Sequence, residues 1–216
     1  MLMFGWNYKM PSNRKDKLIA LRKMVNLETG EICEESFGYE NALYNKGCAM
    51  KSLNAQIKKC QLCEGMNIPR LTENCPGWGD LNAKVFFIGQ SLHKYGIHSD
   101  LPFILGSGYL LDAALRLSGL LRKDVFISNV VHCHPPKNRA STTEEKENCL
   151  SFLEREIDIV EPELIVALGN DAHWAVIQFG IKALCIKHPA SFLHSAPEDS
   201  IDWILKLSKE IDKVYK

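Results

Sequence analysis

The sequence has 216 residues, of which 46% are hydrophobic and 24% charged, enough apolar material for one domain of ordinary size with a full core. Lysine plus arginine and aspartate plus glutamate number 26 each, so the formal net charge is zero. Neutrality excludes a histone-like nucleic-acid binder but not a local basic patch. Since no apolar run approaches the roughly 20 residues of a membrane span and no signal-peptide pattern opens the chain, we expect a soluble, cytoplasmic protein.

Strands and helices alternate along most of the chain. Residues 1–45 have no sustained period and predict an N-terminal extension of unknown role, and residues 46–216 form the main domain. Helical spacing predicts helices at about 46–60, 109–121, 143–160, 171–179 and 201–214, and β-branched and aromatic runs predict strands at 84–89, 125–127, 163–168 and 183–186. This alternation indicates an α/β fold with a parallel sheet covered on both faces.

Four of the eight cysteines have spacing typical of a metal centre. Cys60 and Cys63 form a Cys-x-x-Cys pair at the end of a predicted helix, and Cys133 and Cys149 bracket a loop and the start of another helix. Four thiolates can hold zinc or an iron–sulfur cluster. Only one pair is tightly spaced, whereas zinc ribbons use two, which favours a cluster. The alternative is that these are ordinary buried cysteines.

Polar residues follow the four predicted strands. They are Gln90, Asn129, Asn170 and His188. Because the carboxyl ends of parallel strands meet at one edge of a sheet, we expect these residues at a common ligand site. An amide can pair with the edge of a nucleobase, and a histidine can donate to an anion. Phe103, in the long loop after the first strand, could stack on a flat ligand, although core packing is its commoner use.

The motifs together resemble the uracil-DNA glycosylase superfamily, and most closely its iron–sulfur branch, family 4. The matching stretches are CQLC, VFFIGQ, LPFILGSGYLLDAALRLSGL, DVFISNVVHCHPPKNR, TTEEKENC, PELIVALGNDA and KHPASFL. They occur in order from Cys60 to Leu193 and cover most of the chain.

The resemblance implies a three-layer α/β/α domain with a central four-stranded parallel sheet. It also implies a 4Fe–4S cluster held by Cys60, Cys63, Cys133 and Cys149, with zinc as the alternative metal. The partner it implies is single- or double-stranded DNA with one base flipped into a pocket. We also expect the protein to be a monomer and to have no membrane partner.

The resemblance also implies roles for single residues. Phe103 would stack on the flipped base, Asn129 would read its edge, and His188 would donate to O2 of the anionic uracil that leaves. Asn138, in the loop after the second strand, would help to place the attacking water. Phe192 falls where the family inserts an apolar wedge into the duplex.

The first family motif is altered in this chain. The family pattern after the first strand is Gly-Glu-Ala-Pro-Gly followed by acidic residues, and here the chain reads GQSLHKYG. Gln90 then takes the catalytic position and Ser91 the adjoining base-binding position, while Asp100 is the one acid left before Phe103. The means of activating water therefore stays open.

Three functions are compatible with the sequence. The first is a monofunctional glycosylase that removes uracil, or a related modified or damaged pyrimidine, from DNA. The second is a protein on the same fold that binds DNA or a modified base with little cleavage, which the altered motif favours. The third is a zinc-stabilised nucleotide-binding protein with no DNA role.

Overall fold

A computed structural model describes residues 39–216 and, for side chains, residues 46–216. The chain divides into two compact units, residues 1–52 and 53–216. The described part of the first unit is the beginning of helix α1 (Tyr39–Lys59). Most of the predicted extension at residues 1–45 lies outside the described residues, and its role stays a prediction. The helix predicted from residue 46 begins at Tyr39 instead.

A five-stranded mixed sheet lies at the centre of the second unit. Its strands are β1 (Trp78–Gly79), β2 (Val85–Ser91), β3 (Phe126–Val131), β4 (Leu164–Leu168) and β5 (Leu184–Ile186), in the order β1-β3-β2-β4-β5. Strands β2 to β5 are parallel, and β1 pairs with β3 in the antiparallel sense. The sheet thus differs from the predicted four-stranded parallel sheet by one edge strand, β1. This strand has two residues, too few to show the alternation of apolar and polar residues by which a strand is predicted from sequence.

Five further helices follow α1 in the described chain. They are α2 (Lys94–Ser99), α3 (Gly108–Leu117), α4 (Thr143–Val160), α5 (Asn170–Phe179) and α6 (Pro197–Tyr215). The last four correspond to predicted helices, with ends displaced by a few residues. Helix α2 lies in the stretch that was predicted to be a long loop.

The side chains of β2 and β3 alternate between two layers of helices. Phe87 and Ile127 pair in register and belong to the apolar core that includes Leu111 of α3 and Leu207 of α6. On the other face the rings of Phe86 and Phe126 stack at 5.0 Å, and Ser128 of β3 bonds to Glu156 of α4. Helices therefore cover both faces of the sheet.

The parallel strands all end at the same edge of the sheet. Gly89 and Asn129 lie near the ends of β2 and β3, Gly169 directly follows β4, and His188 follows β5. This edge is the place where an open α/β sheet binds ligands. Between residues 39 and 216, none of the helices is both long enough and apolar enough for a membrane span.

Candidate active site

Gly89, Asn129 and Phe103 meet at the carboxyl edge of the sheet. Gly89 and Asn129 are register partners on β2 and β3. A Cβ atom on Gly89 would overlap the ring of Phe103 and would lie 2.5 Å from Asn129 Oδ1. Only glycine allows a ring and an amide to approach the strand this closely. Phe103 and Asn129 thus lie side by side where the resemblance places the base pocket.

Asn129 carries an unused hydrogen-bond acceptor. The residue is 2% exposed, and its Oδ1 has no hydrogen-bond partner among the described residues. Leaving a buried polar atom unpaired costs about 1–3 kcal/mol, so such atoms are uncommon in a folded protein. An amide with a free acceptor and a donor is complementary to a ligand edge that offers an N–H beside a carbonyl.

His188, which follows β5, adjoins Phe103 at the same edge of the sheet. Its ring stacks on Phe103 with centroids 5.6 Å apart and planes at 30°, and its Cβ lies 3.0 Å from the position a Cβ would take on Gly169. Burial lowers the pKa of His188 to about 4, so the imidazole is neutral near pH 7. Since Nδ1 accepts a bond from Ala190 N–H at 3.1 Å, the ring proton is on Nε2.

Two hydrogen bonds hold the backbone around His188. Trp203 of α6 donates its indole N–H to Lys187 O at 2.9 Å, and Ser191 Oγ donates to His188 O at 2.7 Å. Trp203 lies within a helix and not at a strand end, so its position in the sequence does not mark it as a site residue. The signal in the sequence was a tryptophan on the apolar face of the last helix, a position that core packing also explains.

The other residues near the first motif take different directions. Strand alternation puts Ser91 on the same face of β2 as Gly89, and Gln90 on the opposite face. Asp100 forms an ion pair with Lys58 Nζ at 2.5 Å, so its carboxylate is engaged with the end of α1. Asn170, the fourth strand-end residue, is exposed at the start of α5.

Asn138 lies in an exposed turn after β3. Lys137 and Asn138 both have a φ of 57°, in the left-handed region, within the 3₁₀ turn Pro136–Asn138. The side chain of Asn138 is exposed and makes no hydrogen bond with Asn129 or His188 in the described structure. The loop is fixed next to it, where Arg139 Nη2 bonds to Glu145 Oε1 of α4 at 2.5 Å.

Phe192 is partly buried and Leu193 is exposed. The ring of Phe192 packs against the core beside Trp203, with centroids 6.3 Å apart. Leu193, the next residue, is 45% exposed and is the more accessible apolar side chain of this turn. The sequence pattern named only Phe192, because spacing alone does not distinguish which of two adjacent side chains faces solvent.

The four predicted cysteines lie within electrostatic range of one another. Burial raises the pKa of Cys133 to about 12, and the charges of Cys149, Cys60 and Cys63 add to the rise. Burial likewise raises the pKa of Cys63, with Cys149 and Cys60 contributing. No three His, Cys, Asp or Glu side chains in the described chain are placed to hold a single metal ion.

Two asparagines tie the segments that carry these cysteines. Asn67 Nδ2 donates to Cys60 O at 2.8 Å, and Asn67 Oδ1 accepts from Asn74 N at 3.2 Å. Asn74 in turn forms an antiparallel bridge with Cys133 and donates from its side chain to Ile57 O. The end of α1 and the end of β3 are therefore linked through the side-chain amides of Asn67 and buried Asn74.

One amide N–H donates to a cysteine sulfur, and a buried histidine lies in the same region. Asn148 Nδ2 donates to Cys63 Sγ at 3.3 Å. His132 is 1% exposed and bonds Glu156 Oε2 at 3.2 Å through Nε2, while its Nδ1 has no partner at ordinary distance. Burial alone would lower the pKa of His132, but Glu156 and the Cys149 side chain raise it to about 10. An N–H donor to sulfur suits a thiolate-bound cluster.

Comparison with known proteins gives the same family as the motifs. The profile of the uracil DNA glycosylase superfamily matches residues 76–212. The chain is 38% identical to a type-4 uracil-DNA glycosylase of Thermotoga maritima over 60% of its length and 67% of the relative. It is 35% identical to a type-4 enzyme of Archaeoglobus fulgidus, over 57% of the chain and 62% of that relative. It is 37% identical to a type-4 enzyme of Pyrobaculum aerophilum, over 56% of the chain and 60% of that relative.

These matches confirm the resemblance to the type-4 branch. The profile covers the sheet from β1 onward, the pocket residues, and the two later cysteines. The chain belongs to the uracil DNA glycosylase superfamily.

Proposed function

We propose that the protein is a monofunctional DNA glycosylase, a hydrolase that removes uracil or a related pyrimidine from DNA and leaves an abasic site. The observation that carries this proposal is the convergence of the Phe103 ring, the Asn129 amide and the His188 imidazole at the carboxyl edge of the sheet. The names of the type-4 relatives support the same activity. Such an enzyme acts in DNA repair inside the cell, and we expect it to work as a monomer.

Recognition of the base follows from the chemistry of the Asn129 amide. Uracil offers an N–H at N3 beside a carbonyl at O4, whereas cytosine offers an acceptor beside an amino group. The unpaired Oδ1 of Asn129 would accept from N3–H, and its Nδ2 would donate to O4. The base reaches this position by rotating out of the duplex, and stacking on Phe103 offsets part of the few kcal/mol this costs.

Cleavage depends on stabilising the leaving base. The bond between N1 and C1′ breaks with its electron pair going to uracil, water adds to C1′, and the proton that the water loses passes to solvent or to the departing uracil anion. Negative charge accumulates on O2 of the base, where the Nε2–H of neutral His188 would donate. A neutral imidazole suits this task because the leaving base needs a hydrogen-bond donor at O2, and neither a strong nucleophile nor a strong acid is required.

Asn138 and Gln90 stay our candidates for placing the water, although Gln90 is on the face of β2 opposite Gly89, and Ser91 is our candidate for a contact to the base. Ser91 shares the face of Gly89, and Asn138 is in a turn whose exposed side chain is free to approach bound DNA. Asp100 is paired with Lys58, which argues against it as the base that activates water. Phe192 stays our candidate for the wedge, with exposed Leu193 beside it as a second apolar contact to the duplex.

The four coupled cysteines fit a 4Fe–4S cluster. Cys60, Cys63, Cys133 and Cys149 would ligate it, with Asn148 donating to the sulfur of Cys63. The cluster would supply structural cross-linking between α1, β3 and α4 and, if redox-active, electron transfer. Zinc on the same thiolates is the alternative.

A second function, base recognition with little cleavage, is favoured by one observation. The pocket has no free carboxylate among the residues described, since Asp100 is engaged and the acids of the first family motif are replaced. The two functions differ in whether an abasic site forms.

The test is a cleavage assay on oligonucleotides that carry uracil, hypoxanthine, 5-hydroxymethyluracil or thymine opposite each base. Abasic sites at uracil are expected, and Asn129→Asp should reduce the preference for uracil because a carboxylate has no donor for O4. Tight binding of uracil-containing DNA without cleavage would establish the second function. Cleavage at another base only would reassign the specificity.

A further inference from the structure

The loop that carries Phe103 has an unfavourable backbone. Phe103 has a φ of 56° and Leu105 a φ of 60°, both in the left-handed region although neither is glycine. This conformation is unfavourable for any residue that carries a Cβ atom. The ring therefore keeps its place only if other groups hold the loop.

Arg122 supplies these contacts from outside the pocket. Its Nη1 donates to Pro102 O at 3.1 Å, and its Nη2 donates to Phe103 O at 2.6 Å and to Gly108 O at 3.3 Å. One planar guanidinium thus spans the carbonyl groups on both sides of the left-handed stretch. Lysine could not reproduce this because its donors lie on a single nitrogen.

Asp112 of α3 holds the guanidinium in this orientation. Its Oδ1 accepts from Arg122 Nε at 2.5 Å, and its Oδ2 accepts from Nη2 at 3.2 Å, a bidentate pair. The two side chains are 18% and 28% exposed, so the pair is largely shielded from solvent.

Gly108 makes this close approach possible. A Cβ on Gly108 would overlap Phe103 O and would lie 2.7 Å from Arg122 Nη2. The first residue of α3 must therefore be glycine if the arginine is to reach the loop. A chain of contacts thus connects Asp112 to Arg122 and Arg122 to the backbone of Phe103. The ring of Phe103 in turn lies against Gly89 and His188.

We propose that Arg122, oriented by Asp112, is a positioning residue that fixes the Phe103 ring for stacking on the flipped base. This inference rests on the proposed function and deepens it. Arg122 acts on the base only through Phe103. Its removal should therefore matter only while the Phe103 ring is present.

A double-mutant cycle tests this dependence. Single-turnover cleavage of uracil-containing DNA is measured for wild type, Arg122→Met, Phe103→Ala and the double variant, below the melting temperature of each. Arg122→Met should slow cleavage by roughly ten- to a hundredfold, as for a misplaced reacting group. In the Phe103→Ala background the same change should alter the rate by less than about twofold, since coupled residues are not additive.

Two controls complete the cycle. Arg122→Lys keeps the charge and should give an intermediate rate. Arg116→Met alters an exposed arginine of α3 and should leave the rate unchanged. Equal losses from Arg122→Met with and without the Phe103 ring would show a general structural role and would overturn the proposal.

Hydrogen exchange of residues 100–108 supplies a readout that needs no activity. Exchange should be faster in Arg122→Met than in wild type and unchanged in Arg116→Met. Wild-type exchange in Arg122→Met would overturn the positioning role even if cleavage falls. If wild type does not cleave uracil, the proposed function fails, and the exchange result alone decides whether Arg122 holds the loop.

Discussion

At the scale of single residues, the His188 imidazole has its donor direction set by its neighbours. Nδ1 accepts from Ala190 N–H, so the neutral ring can donate only through Nε2. Removing a donor of this kind costs about 10²- to 10³-fold in rate when charge develops opposite it. We expect His188→Ala to slow cleavage by about this factor with the fold intact, as checked by circular dichroism, and His188→Gln to retain part of the rate. An unchanged rate would remove His188 from the reaction.

The pH dependence follows from the lowered pKa of His188. Since its folded pKa is about 4 against 6.5 ordinarily, the ring is neutral across pH 6–8, and cleavage should show no step there from this residue. Protonation favours unfolding, so stability that is complete above pH 6.5 should decline as the pH falls toward 4. Urea unfolding of wild type and His188→Gln over this range measures the difference. Identical pH profiles would contradict the assigned pKa.

Gly89 gives a second prediction at this scale. A methyl group there would overlap Phe103 and Asn129, whereas a Cβ on Gly47, within α1, would meet nothing within 4 Å. Gly89→Ala should lower the free energy of unfolding by about 1–3 kcal/mol and abolish cleavage. Gly47→Ala should be neutral or stabilise by up to about 1 kcal/mol. Similar unfolding curves for the two variants would contradict the packing.

Asn129 and His188 could be predicted from the sequence because polar residues at the ends of parallel strands must share an edge. The roles of Gly89 and Arg122 could not. Gly89 matters for the atom it lacks, and Arg122 bonds a carbonyl group 19 residues away in the chain. Neither a missing Cβ atom nor a hydrogen bond between distant residues produces a hydrophobic periodicity or a motif in the sequence.

At the scale of elements, the start of α4 combines a cap with an ion pair. Thr142 Oγ1 accepts from Glu145 N at 3.2 Å, Glu145 Oε2 accepts from Thr142 N at 2.8 Å, and Arg139 bonds both carboxylate oxygens. This capping box could be predicted from TTEE. Helix α2 could not, because its six residues form no amphipathic pattern.

Glu145→Gln should weaken this cap. The Arg139 guanidinium holds the pKa of the Glu145 carboxyl below its ordinary 4.5, so the carboxylate stabilises the fold above that pH and loses the effect as the pH falls further. The variant should lose about 1 kcal/mol at pH 7 and match wild type in strong acid. Glu144→Gln, at the exposed neighbouring position, is the control. Thermal melts at several pH values check this, and a constant difference would contradict it.

At the scale of the whole molecule, the cysteines connect three segments that are distant in sequence. They lie after α1, after β3 and within α4. That these four cysteines share one cluster stays a prediction from their spacing and from the family resemblance. The asparagine links between them could not be predicted, because Asn67 and Asn74 lie in a stretch without periodicity.

Cluster loss should therefore destabilise the protein. The purified protein should be brown with iron and sulfide bound, and Cys63→Ser or Cys149→Ser should remove the colour. Their melting temperatures should fall by more than about 4 °C, equivalent to more than about 1 kcal/mol. Cys185→Ser, at an exposed cysteine, should keep colour and stability. A colourless protein with stoichiometric zinc would establish the alternative metal.

The unpaired oxygen of Asn129 has a consequence for how the protein evolves. A buried acceptor without a partner among the described residues is destabilising, and under the proposed function a bound base would pair with it. Asn129→Leu should therefore melt at a higher temperature than wild type while it no longer distinguishes uracil, as differential scanning calorimetry can check. Selection for stability alone would then favour loss of the asparagine, and under the proposed function the need for base recognition would preserve it.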